Sequence, residues 1–431
     1  MKLARVEIEN YRAIEKLDLP LDSRLTVLHG DNGYGKTSVL SAIATGLGSI
    51  LGIIKDIEEI KEKFSDVPSV DFLPADRRGS GQLRVGLTTV DGITWDRPGE
   101  PQDVLPLKEA MDFIVNADFQ EAEPRDLPIV AFYDTDRAVF DPPQRRTGFR
   151  TEFPRYEALQ GALSARTDFR DFFEWFHAKE DEELREQKEH QDFNHRLNDL
   201  EAVRKAVEAM LPGISNPRIK LGPLRFMVSV QSDDGKPEEE LSIDQLSGGY
   251  RIMLALAADL ARRMAQGNPH LADPLQSEAV VLIDEIELHL HPSWQQRVMV
   301  DLTRTFPNTQ FIVSTHSPQV LTTVKPEHVV ELGREQGKIV AGSVGAPTYG
   351  AEAGDVLAAV MGVEERPPGE SNPFVKALAE YRSLVSDGQG ESEAARNLRQ
   401  ELEALSPRDH ALNRADMEMR RRKLLQNMGK S

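Results

Sequence analysis

The sequence predicts an α/β fold: a mixed sheet flanked by helices, with a helical insertion and a helical C-terminal tail. Three observations carry that expectation. Apolar-dominated runs at Leu25–His29, Ala279–Ile283 and Phe311–Ser314 lack the alternation of a half-exposed strand, so they read as strands covered on both faces. Helical patterns alternate with these runs, as βαβ units require. The runs lead into Gly30, Asp284-Glu285 and Thr315-His316, at the carboxyl edge where such sheets bind ligands.

The elements follow in order. Ala4, Val6 and Ile8 alternate with Arg5, Glu7 and Glu9, which reads as a half-buried strand. Leu25–His29 runs into a Gly-rich turn, and Ser38 to about Ile54 reads as helix. Residues 70–150 mix β-like runs (Leu83–Thr89, Ile129–Tyr133) with Pro/Gly/Asp turns. From Arg155 to Leu211 the pattern is helical and charged. Its aromatics Phe169, Phe172, Phe173, Trp175 and Phe176 read as core rather than partner surface, and Lys179–Asp192 reads as a solvated helix face. A strand at Leu224–Val230, a helix near Ser247–Met264 and a helix near Trp294–Thr305 complete the pattern around the two later apolar runs. Beyond Arg366-Pro367-Pro368-Gly369 the chain reads as polar helix. The expected division is an N-terminal lobe over 1–150, a helical insertion over 151–215, a C-terminal lobe over 216–345 and a helical region over 346–431 for partner or self-association.

The 431 residues carry 52 Lys+Arg against 71 Asp+Glu, a net charge of −19. That excludes a surface generally adapted to nucleic acid, because phosphate binding needs cationic surface. It leaves room for a local DNA or RNA contact at Arg145-Arg146, Arg262-Arg263 or Arg420-Arg421-Arg422-Lys423, clusters that are more often solvated patches or salt-bridge partners. The absence of cysteine excludes disulfides, thiolate metal sites and cysteine nucleophiles. The N-terminal MKLARVEIEN has no apolar signal region, and the longest uncharged stretch, Thr37–Ile54, reads as a buried helix. A cytoplasmic protein with no membrane partner is expected.

Four segments carry chemistry. Gly30-Asp31-Asn32-Gly33-Tyr34-Gly35-Lys36-Thr37 matches GxxxxGK[ST], between a strand and a helix as a phosphate loop requires. Its glycines let backbone N–H groups converge on phosphate oxygens, and the helix that follows adds its positive end. Lys36 suits the β/γ-phosphates, and Thr37, followed by Ser38, suits Mg²⁺. Asp284-Glu285 closes an apolar strand: Asp284 suits the metal shell and Glu285 an attacking water. Ser247-Gly248-Gly249 opens an apolar-periodic helix. Ser247 suits an ordinary N-cap, yet the segment also makes a second anion-binding mouth, which suggests a nucleotide held between two copies. His316 ends a strand placed to neighbour Asp284, from where it can sense a γ-phosphate.

The order of these segments resembles the ABC-type ATPase heads. Asn10-Tyr11-Arg12, Asp284-Glu285-Ile286-Glu287-Leu288-His289-Leu290-His291-Pro292 and Ser314-Thr315-His316-Ser317-Pro318 resemble their SMC-like and OLD-like branch. Phe132-Tyr133-Asp134-Thr135-Asp136-Arg137, Asp168–Phe176 and the charged tail resemble the PtuA ATPases of Septu and retron-associated anti-phage systems. The resemblance implies ATP and Mg²⁺ as ligands and a head-to-tail homodimer or higher homo-oligomer. Gly30, Asn32, Gly33, Tyr34, Gly35, Lys36, Thr37 and Ser38 would cradle the phosphates. Ser247, Gly248 and Gly249 would act in trans, His316 as the switch histidine, and Arg12 as a phosphate contact. Two departures stand out: Tyr250 replaces the usual glutamine after the signature, and no Q-loop glutamine is evident, Gln144 beside Arg137 being a weak candidate. The resemblance further implies a separate nuclease partner, HNH-type, since no acid grouping of a Toprim nuclease follows His316. The alternatives are an SMC-like DNA-repair ATPase acting directly on DNA, a transporter subunit, and a structural module that uses ATP only as glue.

Overall fold

The computed structural model describes residues 1–56, 83–97, 102–119, 123–135, 150–163, 169–231, 238–364 and 366–428. Strands β1 (Leu3–Tyr11) and β2 (Ile14–Pro20) form a hairpin, and β3 (Leu25–His29) leads into helix α1 (Lys36–Asp56). Next come β4 (Arg84–Thr89), β5 (Thr94–Arg97), α2 (Leu105–Phe119) and β6 (Ile129–Tyr133). Helices α3 (Phe169–His190) and α4 (Asn198–Met210) precede β7 (Ile214–Leu221), β8 (Leu224–Val230) and β9 (Glu239–Ser242). Then follow α5 (Gly248–Gly267), β10 (Ala279–Ile283), the one-turn α6 (Pro292–Gln295), α7 (Val298–Thr305) and β11 (Thr309–Ser314). The one-turn α8 (Pro318–Leu321), β12 (Val329–Glu335), β13 (Lys338–Ser343) and α9 (Ala353–Ala359) complete the series.

Among the described residues these strands form three sheets. The central one runs β13-β12-β3-β11-β10-β6, parallel throughout except for the β12–β13 hairpin. Its middle strands β3, β11 and β10, and the end strand β6, are buried at every position, which accounts for their largely apolar character. An antiparallel sheet, β2-β1-β4-β5, covers α1 from its other side, and β7-β8-β9 form a smaller antiparallel sheet. Thus α1 is a core helix between two sheets. It is apolar enough over Lys36–Ile54 to cross a membrane by length and composition, but 72% of that window is buried inside the fold. Gly46 permits the close approach: a Cβ there would stand 2.5 Å from the Leu87 side chain, and Trp95 donates its indole N–H to the Gly46 carbonyl at 2.8 Å.

The α3 aromatics are core, as expected. Phe169, Phe172 and Phe176 pack around Phe226 of β8 with ring centroids 5.3 to 6.1 Å away, mostly edge to face. The reading of Lys179–Asp192 as a solvated face needs correction, because one side of it is a buried polar seam. Glu183 accepts Arg204 through both oxygens (2.9 and 3.0 Å) and the Leu197 N–H, and Lys179 pairs with Asp199 at 2.8 Å. The predicted helix near Trp294–Thr305 is broken in two by Arg297, whose φ of −132° is not helical.

The chain divides into two compact units, Met1–Val356 and Leu357–Ser431. The second is a helical unit of α10 (Pro373–Ser386), α11 (Glu393–Leu405) and α12 (His410–Met428). Ala377, Leu378, Tyr381, Val385, Ala395, Leu402, Ala411, Leu412 and Ala415 make its core. The side chains of Asn372 and Ser392 cap α10 and α11, and Arg399 grips Asp416 with two 3.0 Å hydrogen bonds.

Glu180 of α3 supplies a test of this packing. Burial pushes its carboxyl up to about 7, against the Ile219 N–H it accepts and the nearby Arg204. The unfolded carboxyl titrates lower, so the folded chain binds the extra proton and stability falls as pH rises through the window up to about 7. Glu180→Gln keeps an acceptor for Ile219 and cannot ionise. Its melting temperature should exceed that of the unsubstituted chain by about 1–3 °C at pH 8, with no gain at pH 5. Scanning fluorimetry across that range checks it.

Candidate nucleotide-binding site

The phosphate loop occupies the exit of β3. Gly30, Gly33 and Gly35 take φ values of +148°, +81° and +91°, and a Cβ on Gly35 would meet Ile339 at 2.8 Å. Asn32 and Gly33 are exposed, Tyr34 and Ser38 half-buried, and Lys36 buried at the first turn of α1. The Lys36 ammonium donates to the carbonyls of Gly30 (2.7 Å) and Asp31 (3.0 Å), curling back across the loop. Burial lowers its pKa from the ordinary lysine range, opposed by the negative field of Asp284, Glu285, Asp31 and Glu287. Those four carboxylates therefore lie near enough to act on Lys36.

The acidic pair sits where parallel pairing of β10 with β11, and of β11 with β3, delivers it. The buried Asp284 carboxylate accepts the Thr37 hydroxyl at 2.7 Å through one oxygen and the Ser314 hydroxyl through the other. Thr37 and Asp284 are thus side by side, as the two protein ligands of one hard cation must be, and their oxygen-only donor set suits Mg²⁺. Glu285 follows with a left-handed φ of +45°, its N–H held by the Ser314 hydroxyl at 2.8 Å. Such a backbone is costly outside glycine and persists only where its surroundings enforce it.

His316 is half-buried just beyond β11. Thr315 and the His316 N–H both donate to the carboxylate of Glu287. Sequence reasoning gave no role to Ser314 or Glu287. The only signal for them was adjacency, since both stand inside segments already singled out, and their bonds arise from strand pairing.

Ser247 stands at the N-cap of α5 with extended backbone, but its hydroxyl makes no capping bond. The ordinary N-cap reading therefore gives the position and not the interaction. Ser247 and Gly248 are exposed. Gly249 lies against the post-acidic loop, where a Cβ would stand 2.9 Å from the His289 carbonyl, and the Tyr250 ring meets Trp294 edge-on at 4.5 Å between centroids. Arg12 lies in the β1–β2 turn with φ +51°. Ile14, two residues on, comes within 3.9 Å of where a Gly35 Cβ would stand, so this hairpin tip is beside the phosphate loop.

Under the acidic pair lies a buried ionic cluster. The Asp284 N–H donates to the Tyr133 carbonyl at 2.9 Å, and the Tyr133 hydroxyl donates to Asp259 at 3.0 Å. Asp259 also takes Arg262 (2.9 Å) and Arg263 (2.7 Å), and Arg263 continues to the carbonyls of Ala158 and Gln160. Burial works to raise the Asp259 carboxyl, but the guanidiniums of Arg263 and Arg262 hold it down at about 2. Arg262-Arg263 is therefore not a phosphate track: both are 5% exposed and engaged internally. Arg420 and Arg421 are exposed on α12. Arg137, Gln144, Arg145 and Arg146 lie outside the described residues, as do the side chains of Arg422 and Lys423.

Comparison with known proteins agrees with this geometry. Residues 25–322 match the family described as "AAA domain, putative AbiEii toxin, Type IV TA system". The chain is 30% identical to the Retron Ec83 probable ATPase of Escherichia coli, over 98% of this chain and 87% of that protein. It is 26% identical to the Retron Vc95 probable ATPase of Vibrio cholerae serotype O1 biovar El Tor, over 90% and 84%. Septu protein PtuA of Bacillus mycoides (strain KBAB4) is 24% identical over 73% of this chain, a match spanning 38% of that longer protein. The family match runs from the first residue of β3 to the end of α8 and so takes in the phosphate loop, Ser247-Gly248-Gly249, the acidic pair and His316, which makes the chain a member of the AAA-domain family and a P-loop ATPase related to those of retrons.

Proposed function

We propose that this ATPase binds Mg²⁺-ATP, closes into a head-to-tail homodimer around it, and through that state controls a separate nuclease in anti-phage defence. The observation that carries the dimer is the pairing of two phosphate-binding mouths in one chain: the phosphate loop, and an exposed Ser247-Gly248 whose hydroxyl is not used to cap its own helix. A single nucleotide site needs one such mouth, so the second suits the γ-phosphate held by a partner copy. The likeness to retron ATPases and to PtuA supports a defence setting; a cytoplasmic location and an HNH-type nuclease as partner are part of this proposal.

Hydrolysis follows from positioning and electrostatics. Lys36 and the loop N–H groups hold the phosphates, with Arg12 reaching in from the adjacent hairpin. Glu285, its backbone locked by Ser314, orients a water whose oxygen attacks the γ-phosphorus as the bond to the β-phosphate oxygen breaks. The water's proton leaves toward the Glu285 carboxylate, and ADP and phosphate are released. Mg²⁺ held by Thr37 and Asp284 would neutralise phosphate charge. His316 and the partner's signature would read the terminal phosphate, so that the dimer lasts as long as the nucleotide is intact. Direct action on DNA is the weaker reading, since Arg262-Arg263 is spent inside the fold.

Two substitutions test this. Lys36→Ala should lower nucleotide affinity at least ~10-fold and abolish hydrolysis; turnover at the normal rate would sink the site assignment. Glu285→Gln should cut hydrolysis by roughly 10²–10⁴-fold and trap a dimer with ATP, seen as a doubled mass by light scattering that reverts with ADP. A mass unchanged by ATP in that variant would refute the dimer.

A further inference from the structure

We infer that Glu287 is the positioning residue for His316, the carboxylate that fixes the γ-phosphate sensor in place; the inference deepens the reading above and rests on it. Beyond Glu285 the chain runs alongside the exit of β11. The Ile286 N–H donates to the Ser314 carbonyl at 3.1 Å, and the Ile286 side chain is buried at 1% exposure. This anchor aims Glu287 at the next two residues of the β11 exit. One carboxylate oxygen takes the Thr315 hydroxyl at 2.7 Å, and the other takes the His316 backbone N–H at 2.5 Å.

The links continue on both sides. The Thr315 hydroxyl, having donated its proton to Glu287, accepts the Ser317 N–H at 3.0 Å, and the Ser317 hydroxyl donates to Gln295 at 2.7 Å. The Thr315 N–H itself donates to the carbonyl of Leu28, two residues ahead of Gly30. The His316 backbone is therefore held between the phosphate-loop strand and the acidic segment, with Glu287 supplying two of the bonds. A carboxylate is an adverse choice in itself at this place. It lies close enough to act on Lys36 and adds negative charge where a polyphosphate would bind. Its geometry accounts for it, because a carboxylate accepts two hydrogen bonds without offering a competing donor. Glutamine of the same size retains one acceptor and sets an amide donor against the other N–H or O–H. His316 would then lose its tether while the phosphate cradle stayed whole.

The test is a double-mutant cycle on the full-length chain, with kcat and KM for Mg²⁺-ATP measured for the unsubstituted protein, Glu287→Gln, His316→Ala and the double variant. Glu287→Gln should lower kcat by ~10-fold with KM within about twofold, and should have no further effect once His316 is alanine. Thr315→Val should reproduce part of the loss and Thr315→Ser should restore it; this pair leaves Glu287 in place and carries the test if Glu287→Gln does not fold. The same factor lost in both backgrounds would overturn the inference, as would an unchanged kcat in Glu287→Gln. Lys36→Ala is measured alongside: if it hydrolyses ATP normally, the nucleotide-site reading itself falls and takes the inference with it.

Discussion

The Asp284 carboxylate is the constraint on which the rest of the site depends. It is 2% exposed, and a buried charge is tolerable only when its oxygens are satisfied. Its partners come from two other places in the chain: Thr37, in the first turn of α1, and Ser314, the last residue of β11. Three consecutive strands of the central sheet must therefore end at the same level. Their parallel register does this, with Ile283 beside Val313 and Ser314 beside Leu28. The Ser314 hydroxyl also accepts the Glu285 N–H and stabilises the left-handed turn that follows. One carboxylate thus aligns the phosphate loop, Glu285 and the strand that leads to His316.

A second polar assembly holds this alignment from below. Tyr133 accepts the Asp284 N–H on its carbonyl and points its hydroxyl to Asp259, in the middle of α5. Buried ionic clusters are weak sources of net stability, but breaking one by removing a single partner typically costs about 3–5 kcal/mol. The Asp259–Arg262–Arg263 cluster therefore serves to fix where α5 lies against β6 and the 158–160 segment. The first turn of the same helix is fixed again by Gly249 under the His289 carbonyl and by Tyr250 on Trp294. Helix α5 is thus held to the segment that carries Glu285 and Glu287 at two separate heights.

Contiguity decided what was legible in the sequence. Strands β3 and β10 can be read to the residue because full burial keeps them predominantly apolar, and the phosphate loop because its chemistry sits within eight consecutive residues. Strands β12 and β13 were missed: β12 intersperses charge and glycine in Glu331, Gly333, Arg334 and Glu335, and only its Val329 and Leu332 are buried. Helix α2 was missed among the turn residues around it. In the site, Asp284 and Glu285 were visible while Ser314 and Glu287 were not, because nothing local to Glu287 says that residues 28 and 29 positions later become its hydrogen-bond partners. The Arg262-Arg263 pair did carry a local warning. Asp259 stands three and four positions earlier, the helical spacing for an ion pair.

The acidity of the chain bears on how a polyanion can bind to it. Around Lys36 stand Asp31, Asp284, Glu285 and Glu287, all acting to preserve its charge against burial. The same field opposes the approach of bare triphosphate. One buried lysine cannot offset four carboxylates and a multiply charged ligand, whereas a divalent cation held by Thr37 and Asp284, as proposed, would bring two positive charges to this site. The Thr37–Asp284 hydrogen bond already holds those oxygens together, so a cation bound by both would need little rearrangement of them. A net charge of −19 and an ATP site are therefore compatible on one chain. On the proposed reading, the acids that repel free polyphosphate would be the ones that favour its magnesium complex.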